Sequence, residues 1–372
     1  MNNILILAND NSTIYNFRRE LLLRFLEDGY TVIVSVPSNE RNKVFINMGC
    51  IVEETSLSRF GTNPLREILL IRDYVKLIER TIPDIVLTYT AKPNIYGSFA
   101  CQKCNVPYIN NITGLGSAFQ SNNLLKVIML LLQKRAYKKS QCVFFQNASN
   151  KQYFEKKRVV NSCGALLPGS GVNLSQHQFE NYPENDERIR FITVSRIRKD
   201  KGFDELFEAI KTISLKTDKV EFHIVGWYED DEYQKKIEYM QTNYSVKYHG
   251  NKTQDEVHQI VSKCHCIIHP SYHEGMANVL LEAAATGRPI LASKIPGCEE
   301  TFDEGITGLC FEVKNVKSLV ETIMRFTDLP YAKKKNMGIA GRNKMENEFD
   351  RQIVVDAYVN KINRAIKDKE NL

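Results

Sequence analysis

No glycine-rich GxGxxG follows the first apolar run, NILILA; the loop after it reads ANDNSTIYNF. Dinucleotide oxidoreductases use those glycines to bring backbone against a pyrophosphate, so their absence argues against that class. Long hydrophobic runs are missing too. The segment NNLLKVIMLLLQKRAYKKSQ (122–141) has an apolar core of about nine residues, far short of the roughly 20 that span a bilayer. MNNILILAND turns polar by position 9, which suits a first buried strand better than a secretory segment. The nine cysteines are an odd, scattered set that cannot all pair within one chain, and a reducing, cytosolic setting is expected. Cys101 and Cys104 form a CxxC, and Cys264 and Cys266 a CxC, but nothing completes either at zinc-ligand spacing. They read as small buried hydrophobes. The net charge of +6 is mild and its basic residues are dispersed, so no nucleic-acid partner is expected.

What is present is alternation. NILILA, TVIVSV, DIVLTY, PYINNI and CVFFQ read as strands, with amphipathic helices such as IYNFRRELLLRFLEDGY and NPLREILLIRDYVKLIER between them. Apolar strands alternating with helices predict a parallel sheet covered on both faces. The pattern falters over LLPGSGVNLSQHQFENYPENDER and resumes with RFITVS, VEFHIV, VKYHG and CIIH. At 372 residues the chain is long for one core. The fold class expected is therefore α/β, with two doubly wound Rossmann-like domains facing a central cleft. The divisions are a first domain over 1–167, a linker over 168–188, a second domain over 189–348, and a C-terminal helix over 349–372 packing back toward the first domain.

Two stretches could carry chemistry. In TVSRIRKDKGFDELFEAI a strand ends at Ser195, and Arg196, Arg198, Lys199 and Lys201 precede Gly202 at a helix start. Cations beside a helix N-terminus suit a diphosphate, although a solvated basic turn has the same composition. In HPSYHEGMANVLLEAAATGRPI, Glu274 and Glu282 lie eight positions apart around the turn Gly275, Met276, Ala277, Asn278. On a helical wheel they diverge by roughly 80°, so they do not form an acid–base pair. They fit two separate hydroxyl acceptors bracketing a phosphate-binding turn, which describes a nucleotide sugar. Two ordinary surface glutamates remain the alternative. EDDE (Glu229–Glu232) reads as a solvated helix start rather than a metal site.

EGMANVLLEA resembles the E-x7-E motif of the family-4 retaining glycosyltransferases, and SRIRKDKG resembles the Arg/Lys loop of the same family. The resemblance covers nearly the whole chain and implies a GT-B fold with the donor bound by the second domain. It implies that Glu282 accepts from ribose hydroxyls, that Glu274 contacts the transferred sugar, and that Arg196 and Lys201 hold the diphosphate. The donor-side residues are then Arg196, Lys201, Glu274, Gly275, Met276, Ala277, Asn278 and Glu282. SRFGTNP, KPNIYG and NITGLGSAF resemble a subgroup that builds capsular, O-antigen and other undecaprenyl-diphosphate-linked bacterial glycans. Arg59, Lys92, Gly114, Gly116 and Ser117 are then placed on the acceptor side, with Asn11, Ser12 and Thr13 standing where many relatives have glycines. Ala277 replaces a common proline and Met276 a common phenylalanine. All seven histidines lie beyond residue 176, so the first-domain histidine of many relatives is absent.

The activity implied is retaining transfer of a hexosyl or N-acetylhexosaminyl group from a nucleotide sugar, with UDP as the expected nucleotide, to a lipid-linked oligosaccharide. No metal or other cofactor is expected. The alternatives are a GT-B epimerase or hydrolase, or a non-catalytic nucleotide-sugar-binding subunit. The 122–141 segment, with Lys134, Arg135, Lys138 and Lys139 after its apolar core, fits an interfacial helix on the inner face of the cell membrane. A core helix with a solvated end fits it as well.

Overall fold

The computed structural model describes residues 2–55, 64–114, 123–160, 163–186 and 188–370. These fall into two compact units. The first comprises the chain up to Ser170 together with Gln352 onward, and the second is Gly171–Arg351.

The first unit runs β1 (Asn3–Leu7), α1 (Asn11–Glu27), β2 (Thr31–Val36), α2 (Lys43–Asn47), β3 (Ile51–Glu54), α3 (Pro64–Thr81), β4 (Ile85–Tyr89), α4 (Ser98–Cys104), β5 (Tyr108–Ile112), α5 (Asn123–Tyr137), β6 (Cys142–Phe145), α6 (Ala148–Lys156) and β7 (Gly164–Leu166). Its seven strands are all parallel, in the order β3-β2-β1-β4-β5-β6-β7. β1 shows why an unbroken apolar run makes a central parallel strand. Ile4 and Ile6 point into one core with Leu21, Leu22 and Phe25 of α1. Leu5 and Leu7 point into the other, with Tyr74 and Ile78 of α3 and Ala100 of α4. No polar face is left to alternate.

The second unit runs β8 (Ile189–Val194), α7 (Phe203–Ser214), β9 (Val220–Val225), α8 (Asp231–Asn243), β10 (Val246–Tyr248), α9 (Gln254–Val261), β11 (Cys266–His269), α10 (Asn278–Ala285), β12 (Ile290–Ser293), β13 (Gly308–Phe311), α11 (Val316–Thr327) and α12 (Tyr331–Glu348). Its six parallel strands are ordered β10-β9-β8-β11-β12-β13. The last helix, α13 (Arg351–Glu370), sends Val354, Val355, Tyr358, Val359 and Ile362 into the core of the first unit beside Ile4 and Phe144. The Tyr358 hydroxyl bonds the Asn111 side chain there.

The segment expected as a linker, 168–188, is not a free connector in the structure. Val172 is fully buried and exchanges backbone hydrogen bonds with Phe349 and Arg351. The buried Arg288 guanidinium donates to the carbonyls of Glu180 and Asn181, 3.3 and 2.8 Å away, and to Val261 and Ser262. Burial pulls its pKa down to about 10. The Tyr182 hydroxyl donates to the His265 carbonyl. Aperiodic sequence here means a strap pinned by one backbone bridge at Val172 and by the Arg288 and Tyr182 side chains beyond it, which satisfy the backbone that no helix serves.

Candidate active site

In the second unit β8 and β11 are neighbours, yet their connections leave in opposite directions, to β9 on one side and to β12 on the other. Such a switch point opens a crevice beyond the carboxyl ends of the two strands. The loop after β8 carries Arg196 to Gly202, and the loop after β11 carries Pro270 to Ala277. The two loops touch at Gly202, whose φ is +73° and whose missing Cβ would stand 2.0 Å from the Pro270 carbonyl oxygen. Only glycine supplies both that backbone and that approach. The Tyr272 N–H donates to the Asp200 carbonyl, 2.9 Å away, which ties the loops a second time.

This contact brings Lys201 onto Glu274. The ammonium Nζ lies 2.6 Å from Glu274 Oε1, and His269 Nε2 reaches the same oxygen at 2.9 Å. Burial pushes the Glu274 pKa upward, but the His269 hydrogen bond and the charges of His269 and Lys201 more than offset it and hold it at about 2. Glu274 is therefore a fixed anion at any working pH. A third loop supports it from β12. Gly297 has φ +84°, a Cβ there would lie 2.8 Å from the Gly275 carbonyl oxygen, and its own carbonyl accepts from the Ala277 N–H at 2.8 Å.

The turn itself differs from what was expected. The Ala277 N–H goes to Gly297 and the Asn278 N–H to the Met276 carbonyl, so these two amides are engaged rather than open. Met276 and Ala277 are buried in the core beneath. No side chain caps the start of α10, and the Asn278 side-chain oxygen is buried without a partner among the described residues. Arg196 is not on Glu274. It is half-exposed, with its guanidinium 3.8 Å from the Glu229 carboxylate. Asp230, in the EDDE segment, caps α8 by accepting from the Glu232 N–H.

Glu282 sits one turn into α10, with its carboxyl largely enclosed. Burial raises its pKa to about 7 and Arg351 only partly offsets this. Because the folded value lies above the ordinary one, ionisation costs stability. That loss begins near pH 4.5 and is complete above pH 7. At alkaline pH it amounts to roughly 3 kcal/mol. Glu282→Gln is expected to raise the melting temperature by about 6–12 °C at pH 8 and to change it little at pH 4.5. Thermal melts of parent and variant across that range check it.

In the first unit, Asp10 caps α1, the Thr13 hydroxyl donates to Asp10 and the Ser12 hydroxyl to Asn11. Asn11 is buried and donates to Asn42. Ser12 and Thr13 thus serve the helix start and Asn11 ties it to Asn42, and a hydroxyl already donating can still accept from a ligand. Lys92 Nζ is 2.8 Å from Glu67 Oε1. Gly114 is exposed beyond the end of β5. Arg59, Gly116 and Ser117 lie outside the described residues.

Residues 175–344 match the model of the family described as glycosyl transferases group 1, and residues 3–147 match that of the glycosyl transferase 4-like family. The chain belongs to the glycosyltransferases. Over 97% of its length it is 24% identical to the N,N'-diacetylbacillosaminyl-diphospho-undecaprenol alpha-1,3-N-acetylgalactosaminyltransferase of Campylobacter jejuni, covering 98% of that enzyme. It is 26% identical, over 80% of its own length and 83% of the other's, to the UDP-Gal:alpha-D-GlcNAc-diphosphoundecaprenol alpha-1,3-galactosyltransferase of Escherichia coli. The crystal structure of Anabaena HepE with UDP and glucose superposes with a TM-score of 0.78 at 16% identity, covering 97% of this chain and 99% of that one. The two Rossmann-like units are those of the GT-B fold. As a glycosyltransferase, the chain has residues at the switch point that its motifs did not announce. His269 bonds Glu274, and Gly297 bonds the turn that follows it. The signals available were a histidine ending an apolar strand next to the motif, and the Pro-Gly pair in SKIPGCEE.

Proposed function

We propose that this glycosyltransferase moves a sugar from a UDP-sugar to an undecaprenyl-diphosphate-linked saccharide, with retention of anomeric configuration, in the synthesis of a bacterial surface polysaccharide. The observation that carries this is the Lys201–Glu274–His269 cluster at the switch point. A fixed carboxylate there can accept from hydroxyls of the transferred sugar, while Lys201 and the more exposed Arg196 stabilise the diphosphate as it leaves. Glu282, one turn into α10, would take the ribose hydroxyls. Support for the acceptor comes from the two relatives named for undecaprenyl-diphosphate-linked substrates, and their alpha-linked products support retention. No protein carboxylate stands out as a nucleophile, so a front-face displacement is the mechanism proposed, with the donor phosphate taking the acceptor proton. The test is a screen of UDP-, GDP- and dTDP-sugars with crude lipid-linked acceptor, read by mass spectrometry. Donor turnover without any acceptor would favour an epimerase or hydrolase instead.

Among the described residues no helix is long and apolar enough to cross a membrane. α5 nevertheless exposes Leu124, Val127, Ile128 and Leu131 at i, i+3, i+4 and i+7, with Leu124 at 70%. Exposed Lys134, Arg135, Lys138 and Lys139 follow. α3 exposes Leu65, Ile68 and Leu69. Apolar helix faces edged with cations suit the headgroup boundary of an anionic membrane, and peripheral attachment to its inner face belongs to this proposal. The chain is expected to float with anionic liposomes at low salt. Changing Lys134, Arg135, Lys138 and Lys139 to glutamine should leave most of it at the bottom of the gradient. Parent protein that does not float at low salt refutes the attachment.

A further inference from the structure

We infer that His269 is a positioning residue for the transfer step, holding Glu274 by one carboxylate oxygen so that the other is presented to the donor sugar. This rests on the glycosyl-transfer function proposed above.

The geometry is specific. Lys201 and His269 converge on the same oxygen, Oε1, at 2.6 and 2.9 Å. Among the described residues, Oε2 meets no donor. The two partners differ in what they can fix. An ammonium on a four-carbon stem is a rotatable point charge that attracts a carboxylate without setting its plane. An imidazole N–H is directional, on a side chain with only two torsions. His269 is the last residue of β11, is 3% exposed, and is therefore held by the sheet rather than by a loop.

The proton can also be placed. An ionised carboxylate only accepts, so Nε2 carries the hydrogen. Nδ1 is buried and has no partner among the described residues. Most buried polar side-chain atoms in proteins have a hydrogen-bond partner. Among the described residues, the hydrogen bond that His269 makes is the one from Nε2 to the carboxylate. The arrangement serves Glu274, not the core.

Two substitutions separate positioning from structure. His269→Phe keeps a ring and removes the N–H, whereas His269→Gln keeps an N–H near Nε2. The expected result for His269→Phe is a 10- to 100-fold loss of kcat with donor KM within about threefold, because an ångström of freedom at a reacting centre costs rates of that order. His269→Gln should recover kcat to within about threefold of the parent. Full kcat in His269→Phe, or an equal loss in both variants, overturns the inference. A second measurement is independent of turnover. In 15N-labelled protein the imidazole Nε2–H of His269 should appear as a slowly exchanging proton, absent in His269→Phe and shifted in Glu274→Gln. Its absence from the parent, or its indifference to Glu274→Gln, overturns the inference as well. A parent chain that turns over no nucleotide sugar refutes the proposed function, while the imidazole proton still decides whether His269 holds Glu274.

Discussion

Replacing Glu274 with alanine is expected to lower kcat for transfer by about 10²- to 10³-fold while donor KM changes by less than about threefold. The carboxylate sits at the mouth of the switch point, fixed by Lys201 and His269 and anionic throughout the working pH range. A group so restrained does most when charge develops on the departing sugar, and less when the donor merely binds. The loss should therefore fall on turnover. Lys201→Ala should cost at least about tenfold, and the double variant should lose less than the product of the two, because the residues share one contact. Steady-state kinetics on the donor that the screen identifies, with circular dichroism to check folding, decides this. A loss confined to KM would move Glu274 to a binding role remote from the reacting bond.

The second large effect is expected at a residue with no side chain. Gly202→Ala places a Cβ 2.0 Å from the Pro270 carbonyl oxygen, in a residue with φ +73°. The left-handed backbone alone costs about 1–2 kcal/mol for alanine. The clash is with backbone, so no flexible side chain can yield. The loops must separate, and separation draws Lys201 off Glu274. Transfer should fall by at least about 100-fold. The melting temperature should drop by roughly 6–12 °C, corresponding to about 3 kcal/mol in a unit of this size. Activity and melting measured on the same preparation test it, and a variant that melts like the parent and transfers normally would show that the loops can part harmlessly.

How much was legible depended on whether a residue announces its neighbours. Strands β1, β2, β4, β6, β8, β9 and β11 are carried by largely apolar runs, and reading them with the more polar β5 and β10 was enough to expect parallel sheets. β3 was harder, because IVEE at the edge of its sheet is half polar and exposed at both ends. β7 is three residues long. Lys201 and Glu274 could be named from their motifs, but their contact could not, since 73 residues separate them and only the pairing of β8 with β11 brings them together. Arg196 was grouped with Lys201 because both are basic in one loop; the backbone turns one inward and leaves the other facing Glu229. His269 and Gly297 were missed for the same reason. A histidine in a strand and a Pro-Gly turn are common in any sequence, and their meaning here lies in what stands opposite.

The chain leaves its first unit at Ser170 and returns at Gln352, and the two crossing segments are stitched together by Val172, Phe349 and Arg351 within the second unit. In genetic terms the second unit is therefore an insert within the first. A fragment ending near residue 170 would lack α13, leaving Ile4, Phe144 and their neighbours without Tyr358 and the valines that cover them. Such a fragment should aggregate rather than fold. Exchanging donor preference between related enzymes accordingly calls for an internal cassette, residues 171–351, with both junctions and the residues that knit them taken from one parent. A conventional head-to-tail chimera joined at a single point would divide the first core between two ancestries.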